Sequence, residues 1–314
     1  MPKSGSIAAG LLLCNAHLPP PRGVCSAPMS IALTASDGTV LAAHRFGAGP
    51  CRVVVAGATG VPQRFYARFA AYLAECGLST LTFDYRGIGA SKDSPRHHFG
   101  MRTWAEQDLA SAIEYAASGG PVAVIGHSFG GQALGLCGNN HHVKALLGIS
   151  AQSGHWRLWD WPYKPWMWSM MHVVLPAILA VRRDIPGGLL GPDSLPGGVV
   201  REWARWCRGP HYIADTQGNP LRAGFTQWTG TARFYLIEDD QQYAPPRAVH
   251  ELASFYAQAQ CEVIERAPSD WGIDALGHFD FFRPSAVAGW AEVAKWLTAT
   301  LDGPETRPAK DPIE

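Results

Sequence analysis

Ser128 lies in a sequence pattern that suits nucleophilic catalysis. Residues 126–130 read GHSFG and match G-x-S-x-G, where small residues on either side allow a sharp turn that exposes the serine hydroxyl. The apolar run 122–125 before the motif is typical of a buried strand, and the residues from 131 onward are typical of a helix. We therefore predict that Ser128 is a nucleophile; the alternative is a glycine-rich turn whose serine only caps the helix.

A serine hydroxyl requires a base that removes its proton and a third group that orients the base. Asp240 follows a predicted strand, and His278 lies in a late loop, which is the chain order Ser, acid, His expected after such a turn. We predict His278 as the base and Asp240 as the acid. Asp239 stays open as the alternative acid, and we expect the other member of the pair to cap the turn before Pro245.

Acyl transfer also requires N–H donors for a developing oxyanion. The backbone N–H of Phe129, directly after the serine, is the first candidate. The second is expected in the loop after the strand at 51–55, at Ala58 or Thr59, where small residues let N–H groups face a pocket. The other histidines predict no metal site, because the adjacent pairs at 97–98 and 141–142 lack the spacing of a helical ligand pair.

The numbers of charged residues and cysteines limit the classes of binding partner. Lysine plus arginine and aspartate plus glutamate both number 26, so the net charge is zero and neither nucleic acid nor an anionic membrane is favoured. Seven cysteines without C-x-x-C spacing indicate reduced thiols. We expect a cytoplasmic protein with a small-molecule substrate, no metal or organic cofactor, no stable membrane insertion and a possible homodimer.

Strands and helices alternate along most of the chain and predict a parallel sheet with helices on both faces. A hairpin over 30–46 with an Asp-Gly turn is expected to add antiparallel strands at one edge. An amphipathic helix over 104–117 should be capped by Thr103, with Glu106 completing a capping box.

The alternation is interrupted between residues 155 and 224. This stretch holds seven of the twelve tryptophans and predicts a helical cap, whose rings either form a small core of their own or line an apolar pocket. The core is then 29–154 with 225–302. Residues 1–28 are predicted to be a disordered leader, although 7–14 resemble a weak export signal, and 303–314 a flexible tail.

Three segments carry a family resemblance, which covers residues 30 to 301: GHSFGG at 126–131, DYRGIGAS at 84–91 and GHFDFFRP at 277–284. With them the chain resembles an α/β-hydrolase. It is most similar to a bacterial branch described as predicted α/β hydrolases or serine-aminopeptidase-like hydrolases, which share the ATGV segment at 58–61 with Tyr66 and the LPGGV segment at 195–199. The resemblance implies the α/β-hydrolase fold, a mostly parallel central sheet with helices on both faces and a helical cap insertion. It also implies a triad of Ser128, Asp240 and His278.

The sequence favours a serine hydrolase that cleaves a carboxylic ester or thioester with a hydrophobic group through an acyl-enzyme. An acyltransferase with the same triad stays open, as does a non-catalytic binding protein on the same scaffold. Three residues at 241–243 lengthen the spacing between Asp240 and Pro245 by about one residue compared with the family pattern.

Overall fold

The computed structural model describes residues 27–93 and 99–303. Most of the predicted leader (1–28) and tail (303–314), together with His97 and His98, lie outside the described residues.

The described chain is built on one eight-stranded sheet in the order β1-β2-β4-β3-β5-β6-β7-β8. β1 pairs antiparallel with β2 and β2 antiparallel with β4, whereas all the other pairs are parallel. The predicted mostly parallel sheet with an antiparallel edge hairpin is confirmed. The strands are β1 Met29–Thr34, β2 Val40–Phe46, β3 Val53–Ala56, β4 Thr80–Phe83, β5 Val122–His127, β6 Val143–Ile149, β7 Thr231–Ile237 and β8 Gln260–Arg266.

Helices cover both faces of the sheet, because the central strands are buried on both sides. In β5 every residue is buried, and successive side chains point to opposite faces. One face packs against α1 and α10, and the other against α3, α4, α9 and part of the segment between β6 and β7. The helices are α1 Ala67–Glu75, α2 Met101–Thr103, α3 Ala110–Ala117, α4 Phe129–Ala133, α5 Tyr163–Ser169, α6 Leu175–Val181, α7 Gly197–Arg208, α8 Ala223–Gln227, α9 Pro246–Ser254 and α10 Val287–Asp302.

The predicted cap at Thr103 is wrong. The helix begins earlier, at Met101, and Thr103 has helical backbone angles with no capping hydrogen bond from its side chain. One π-helical stretch, Trp104–Leu109, joins α2 to α3. Because Met101 is fully buried, we attribute the longer helix to the burial of this first turn against the core, which outweighs the local capping signal.

The segment between β6 and β7 contains α5 to α8 and adds no strand to the sheet. A second π-helical stretch, Met170–Val174, joins α5 to α6. Several aromatic side chains of the segment between β6 and β7, such as Trp159 and Trp206, are buried in the same apolar cluster as residues of α3, α4 and α9. Within the described ranges, none of the helices has both the length and the apolar character needed to cross a membrane.

Candidate active site

Ser128 occupies the sharp turn between β5 and α4. Its backbone has φ 51° and ψ −114°, a conformation that is strained for a residue with a side chain. A Cβ atom at Gly126 would collide with the backbone of residues 130–131, and one at Gly130 with the carbonyl group of Ala56. Both glycines of G-x-S-x-G are therefore required for the close packing of this turn.

His278 and Asp240 form a buried pair next to this turn. Nδ1 of His278 lies 2.6 Å from Oδ2 of Asp240, and their side chains are 6 % and 1 % exposed. Asp240 follows the end of β7, where its N–H donates to the carbonyl of Ile237. With Nδ1 engaged by the carboxylate, Nε2 is the ring nitrogen of His278 that remains for proton transfer.

The structure brings Ser128 and His278 to the same cavity, together with Phe129, Ala58 and Thr59. No hydrogen bond joins Ser128 Oγ to the His278 ring among the described residues. In catalytic pairs of this kind, such contacts tighten in the complex with substrate.

Asp239 has a different role from the predicted cap of the turn before Pro245. Its two carboxylate oxygens accept hydrogen bonds of 2.9 Å from the backbone N–H groups of Leu276 and Gly277. These residues directly precede His278, and Gly277 has a positive φ of 50°. Asp239 therefore holds the loop that carries the histidine, while its neighbour Asp240 contacts the imidazole ring.

The three candidate oxyanion donors differ in what already engages them. The N–H of Phe129 is the first of α4 and has no acceptor within the helix. The N–H of Ala58 donates to the hydroxyl of Tyr66 at 2.8 Å. The N–H of Thr59 makes no hydrogen bond to any residue that the structure describes. Of the three candidates, Phe129 and Thr59 therefore have the unengaged N–H groups.

Tyr66 and His127 form a buried polar chain that the sequence analysis missed. His127 Nε2 lies 2.7 Å from the carbonyl oxygen of His278, which can only accept, so this nitrogen carries the proton. Burial lowers the pKa of His127 well below its ordinary value, so the ring is neutral and its Nδ1 accepts from the Tyr66 hydroxyl at 2.9 Å. The chain thus links Ala58 through Tyr66 and His127 to the backbone of His278.

A sequence signal for this chain existed. In the sequence, Tyr66 is only a feature of the family resemblance, and His127 is only the residue before the serine in G-x-S-x-G. A histidine inside the motif becomes informative once a hydroxyl is available to satisfy its second nitrogen, because a buried polar group requires a partner. The partner follows a different strand, 61 residues away in sequence.

We expect Tyr66→Phe to lower the free energy of unfolding by about 2 kcal/mol, because it leaves the Ala58 N–H and His127 Nδ1 buried without a partner. We also expect a lower kcat, since the carbonyl of His278 then hydrogen-bonds to a ring that is less firmly held. Denaturant unfolding and steady-state kinetics measure the two effects. Tyr72→Phe is the matched control, because that ring is only partly buried and lies outside the polar chain; equal losses in both variants would contradict the assignment.

The cavity has a volume of about 70 Å³ and is lined mostly by apolar side chains. Part of its wall comes from the segment between β6 and β7 and includes tryptophan, methionine and leucine side chains. The described lining contains no Lys, Arg, Asp or Glu. The tryptophan, methionine and leucine side chains of the wall are Trp159, Trp166, Met167, Met170, Met171, Leu190 and Trp203.

The residues after Asp240 connect the end of β7 to this wall. The carbonyl of Gln242 accepts a hydrogen bond of 2.7 Å from Trp159 Nε1. The ring of Tyr243 packs edge-on against Trp166 at 5.9 Å and lies 5.0 Å from the ring of His278. Gln242 and Tyr243 thus join the histidine loop to two tryptophans of the cavity wall.

The sheet order, the strained serine turn and the buried histidine–aspartate pair are features of an α/β protein with the α/β-hydrolase fold. A family model described as "Alpha/beta hydrolase family" matches residues 33–290, and the chain therefore belongs to the alpha/beta hydrolase family. The resemblance predicted from the sequence is confirmed. No curated protein matches the chain in sequence.

Solved structures with low sequence identity share the fold. A soluble variant of monoglyceride lipase from Saccharomyces cerevisiae, in complex with a substrate analogue, is 13 % identical with a TM-score of 0.65, over 90 % of this chain and 98 % of that one. An esterase from Exiguobacterium antarcticum is 18 % identical with a TM-score of 0.56, over 86 % and 100 % of the two chains. A monoacylglycerol lipase from Paleococcus ferrophilus is 17 % identical with a TM-score of 0.55, over 83 % and 99 %.

Proposed function

We propose that this protein is a serine hydrolase that cleaves an uncharged carboxylic ester or thioester through an acyl-enzyme. The observation that carries the proposal is that one cavity is lined by Ser128 on a strained turn and by His278, whose far ring nitrogen is held by Asp240. The esterases and lipases of similar fold support ester hydrolysis as the reaction.

In the first half of the reaction, Ser128 Oγ attacks the carbonyl carbon and its proton passes to Nε2 of His278. The carbonyl oxygen becomes an oxyanion, which the N–H groups of Phe129 and Thr59 stabilise. The bond between carbon and the leaving oxygen or sulfur then breaks, and the proton on Nε2 passes to the leaving group. The products of this half are the free alcohol or thiol and the acylated serine.

In the second half, water donates a proton to His278 Nε2 and its oxygen attacks the acyl carbon. The ester bond to Ser128 breaks, the proton returns to Oγ, and the carboxylic acid leaves. Throughout, the Asp240 carboxylate keeps the proton of His278 on Nδ1 and stabilises the imidazolium that forms in both halves.

The lining of the cavity favours uncharged substrates. A carboxylate or an ammonium group placed there would lose its water without gaining an opposite charge from the described lining residues. A peptide that places its free amino terminus in the cavity is therefore a poor substrate. We expect p-nitrophenyl butyrate to be hydrolysed and the corresponding monoester of succinic acid, which carries a carboxylate, to be hydrolysed far more slowly.

The cavity volume predicts a short acyl group. A cavity of about 150 Å³ holds the six carbons of benzene, so 70 Å³ accommodates roughly three carbons beyond the carbonyl carbon on that scale. We expect kcat/KM for p-nitrophenyl esters from acetate to decanoate to peak near butyrate. Met171→Ala, at a buried lining residue, should move the peak to a longer chain.

Met101→Ala is the matched control for the chain-length prediction. Met101 is as buried as Met171 but lies in the core, outside the cavity lining. We expect it to lower stability and leave the chain-length profile unchanged. A peak at decanoate in the wild type, or the same profile shift in both variants, would contradict the proposed pocket.

An acyltransferase with the same residues is the second candidate, because the second half of the reaction requires only a nucleophile that reaches the acyl carbon. The apolar wall, with its three methionines and three tryptophans, favours exclusion of water from the acyl-enzyme. Adding alcohol, amine or thiol acceptors to the butyrate assay distinguishes the two, since a transferase yields the acylated acceptor in preference to butyric acid. A non-catalytic binding protein, a cytoplasmic location and a homodimer stay predictions from the sequence.

A further inference from the structure

We infer that the cavity contains a polar subsite, centred on the side-chain amide of Gln152, that binds an uncharged oxygen acceptor on the substrate. Ketone, ether, hydroxyl and amide oxygens are the groups that fit. The inference rests on the proposed function and adds a substrate feature to it. None of the residues that form the subsite takes part in the proton transfers described above.

Three buried polar side chains form a relay that ends at this amide. The Tyr212 hydroxyl donates to Oε1 of Gln132 at 2.6 Å, and Nε2 of Gln132 donates to Oε1 of Gln152 at 3.4 Å. Gln132 and Gln152 are 2 % and 8 % exposed, and both line the cavity. The two bonds orient the Gln152 amide with its oxygen toward the relay.

The relay ends at the Nε2 group of the Gln152 side chain. This nitrogen makes no hydrogen bond to the residues that the structure describes. It is also not one of the fully buried side-chain nitrogen or oxygen atoms of these residues that lack a partner. Its N–H donors are therefore accessible from the cavity. In a mostly apolar pocket, a few placed polar groups of this kind fix the orientation of a ligand.

The backbone around the relay indicates a built feature. Tyr212 is fully buried and has a positive φ of 52°, which is costly for a residue with an aromatic side chain. Gly154 provides the space for its ring, because a Cβ atom there would collide with the ring. Strain retained at a buried tyrosine is consistent with a functional requirement for the position of its hydroxyl.

The chemistry of the donor determines the kind of acceptor. A neutral amide N–H satisfies a neutral oxygen, whereas a carboxylate or phosphate would also require a cation, and the described cavity lining contains no lysine or arginine. The preferred substrate is therefore an ester or thioester with a second, uncharged oxygen a few atoms from the scissile carbonyl group.

The test compares substrates in which an ether oxygen replaces one methylene. The carbon esters are p-nitrophenyl butyrate and pentanoate. Their oxygen analogues are the esters of methoxyacetic, ethoxyacetic and 3-methoxypropanoic acid. The ratio of kcat/KM for each analogue to that of its carbon partner is measured in the wild type and in Gln152→Met, so that the intrinsic reactivity of the ester cancels.

We expect this ratio to fall roughly 5- to 10-fold in Gln152→Met for at least one oxygen position, which is the usual worth of one neutral hydrogen bond. Gln242→Met makes the same chemical change at another lining residue and should keep the ratio. Tyr212→Phe removes the donor that orients Gln132 and should lower the ratio partway.

Ratios that stay within about twofold of the wild type for every oxygen position, or a loss in Gln242→Met in place of Gln152→Met, would overturn the inference. If Gln152→Met does not fold, Tyr212→Phe, which keeps the ring, carries the same comparison. Failure of the proposed function is recognised separately, because wild-type protein would then not hydrolyse p-nitrophenyl butyrate in a manner that depends on Ser128.

Discussion

Replacing Ser128 by alanine is expected to lower kcat for p-nitrophenyl butyrate by at least about 10⁴-fold, because no other group in the proposed mechanism can form the acyl-enzyme. Alanine keeps the Cβ atom, so the backbone strain at φ 51° is the same in both proteins and the fold should be retained. The same variant should lose covalent labelling by a fluorophosphonate, which reacts with an activated serine.

Ser150→Ala is the matched control for this prediction. Ser150 is also buried, also has a positive φ of 50°, and follows the neighbouring strand β6, but it does not line the cavity. We expect it to keep both activity and labelling. Wild-type protein that is labelled but inert toward the ester series would favour the acyltransferase. Wild-type protein that is neither labelled nor active would contradict the proposed mechanism and favour the binding protein.

The turn at Ser128 shows how far local sequence determines structure. Its strand, glycines and helix start are adjacent in the chain, so hydrophobic pattern and steric requirement predict the same local geometry. The parallel direction of the central strands follows from the same alternation, because parallel strands require crossover connections. These features could be predicted because each depends on residues close together in sequence.

The hydrogen-bond partners of the loop that carries Ala58 and Thr59 could not be predicted in this way. The sequence left Ala58 and Thr59 equal, since both are small residues after the same strand. The difference between them comes from Tyr66, whose hydroxyl accepts the N–H of Ala58 only after the helical turn that carries it has packed beneath His127. Tertiary packing determines which N–H stays unengaged, and no local pattern records it.

The adjacent carboxylates pose the same problem at another position. Asp239 and Asp240 have the same side chain, and successive residues point in different directions. Which of them meets the imidazole depends on how the chain turns after β7, where Gln242 and Tyr243 contact Trp159 and Trp166. The sequence therefore predicts Asp240 as the acid and leaves Asp239 open, but it does not predict that Asp239 holds the histidine loop.

The division of roles can be tested by replacing each aspartate with asparagine. We expect Asp240→Asn to lower kcat about 10³- to 10⁴-fold, because the amide N–H₂ favours the wrong tautomer of His278 and no carboxylate stabilises the imidazolium. We expect Asp239→Asn to change kcat less than about 10-fold but to lower the free energy of unfolding by about 1–3 kcal/mol, since its amide oxygen can replace only one of the acceptors for Leu276 and Gly277. Kinetics and denaturant unfolding of the two variants, side by side, measure this difference. A larger loss of kcat in Asp239→Asn would reverse the assignment. Equal losses of kcat in both would indicate that the geometry of the histidine loop, rather than the charge beside the ring, limits the reaction.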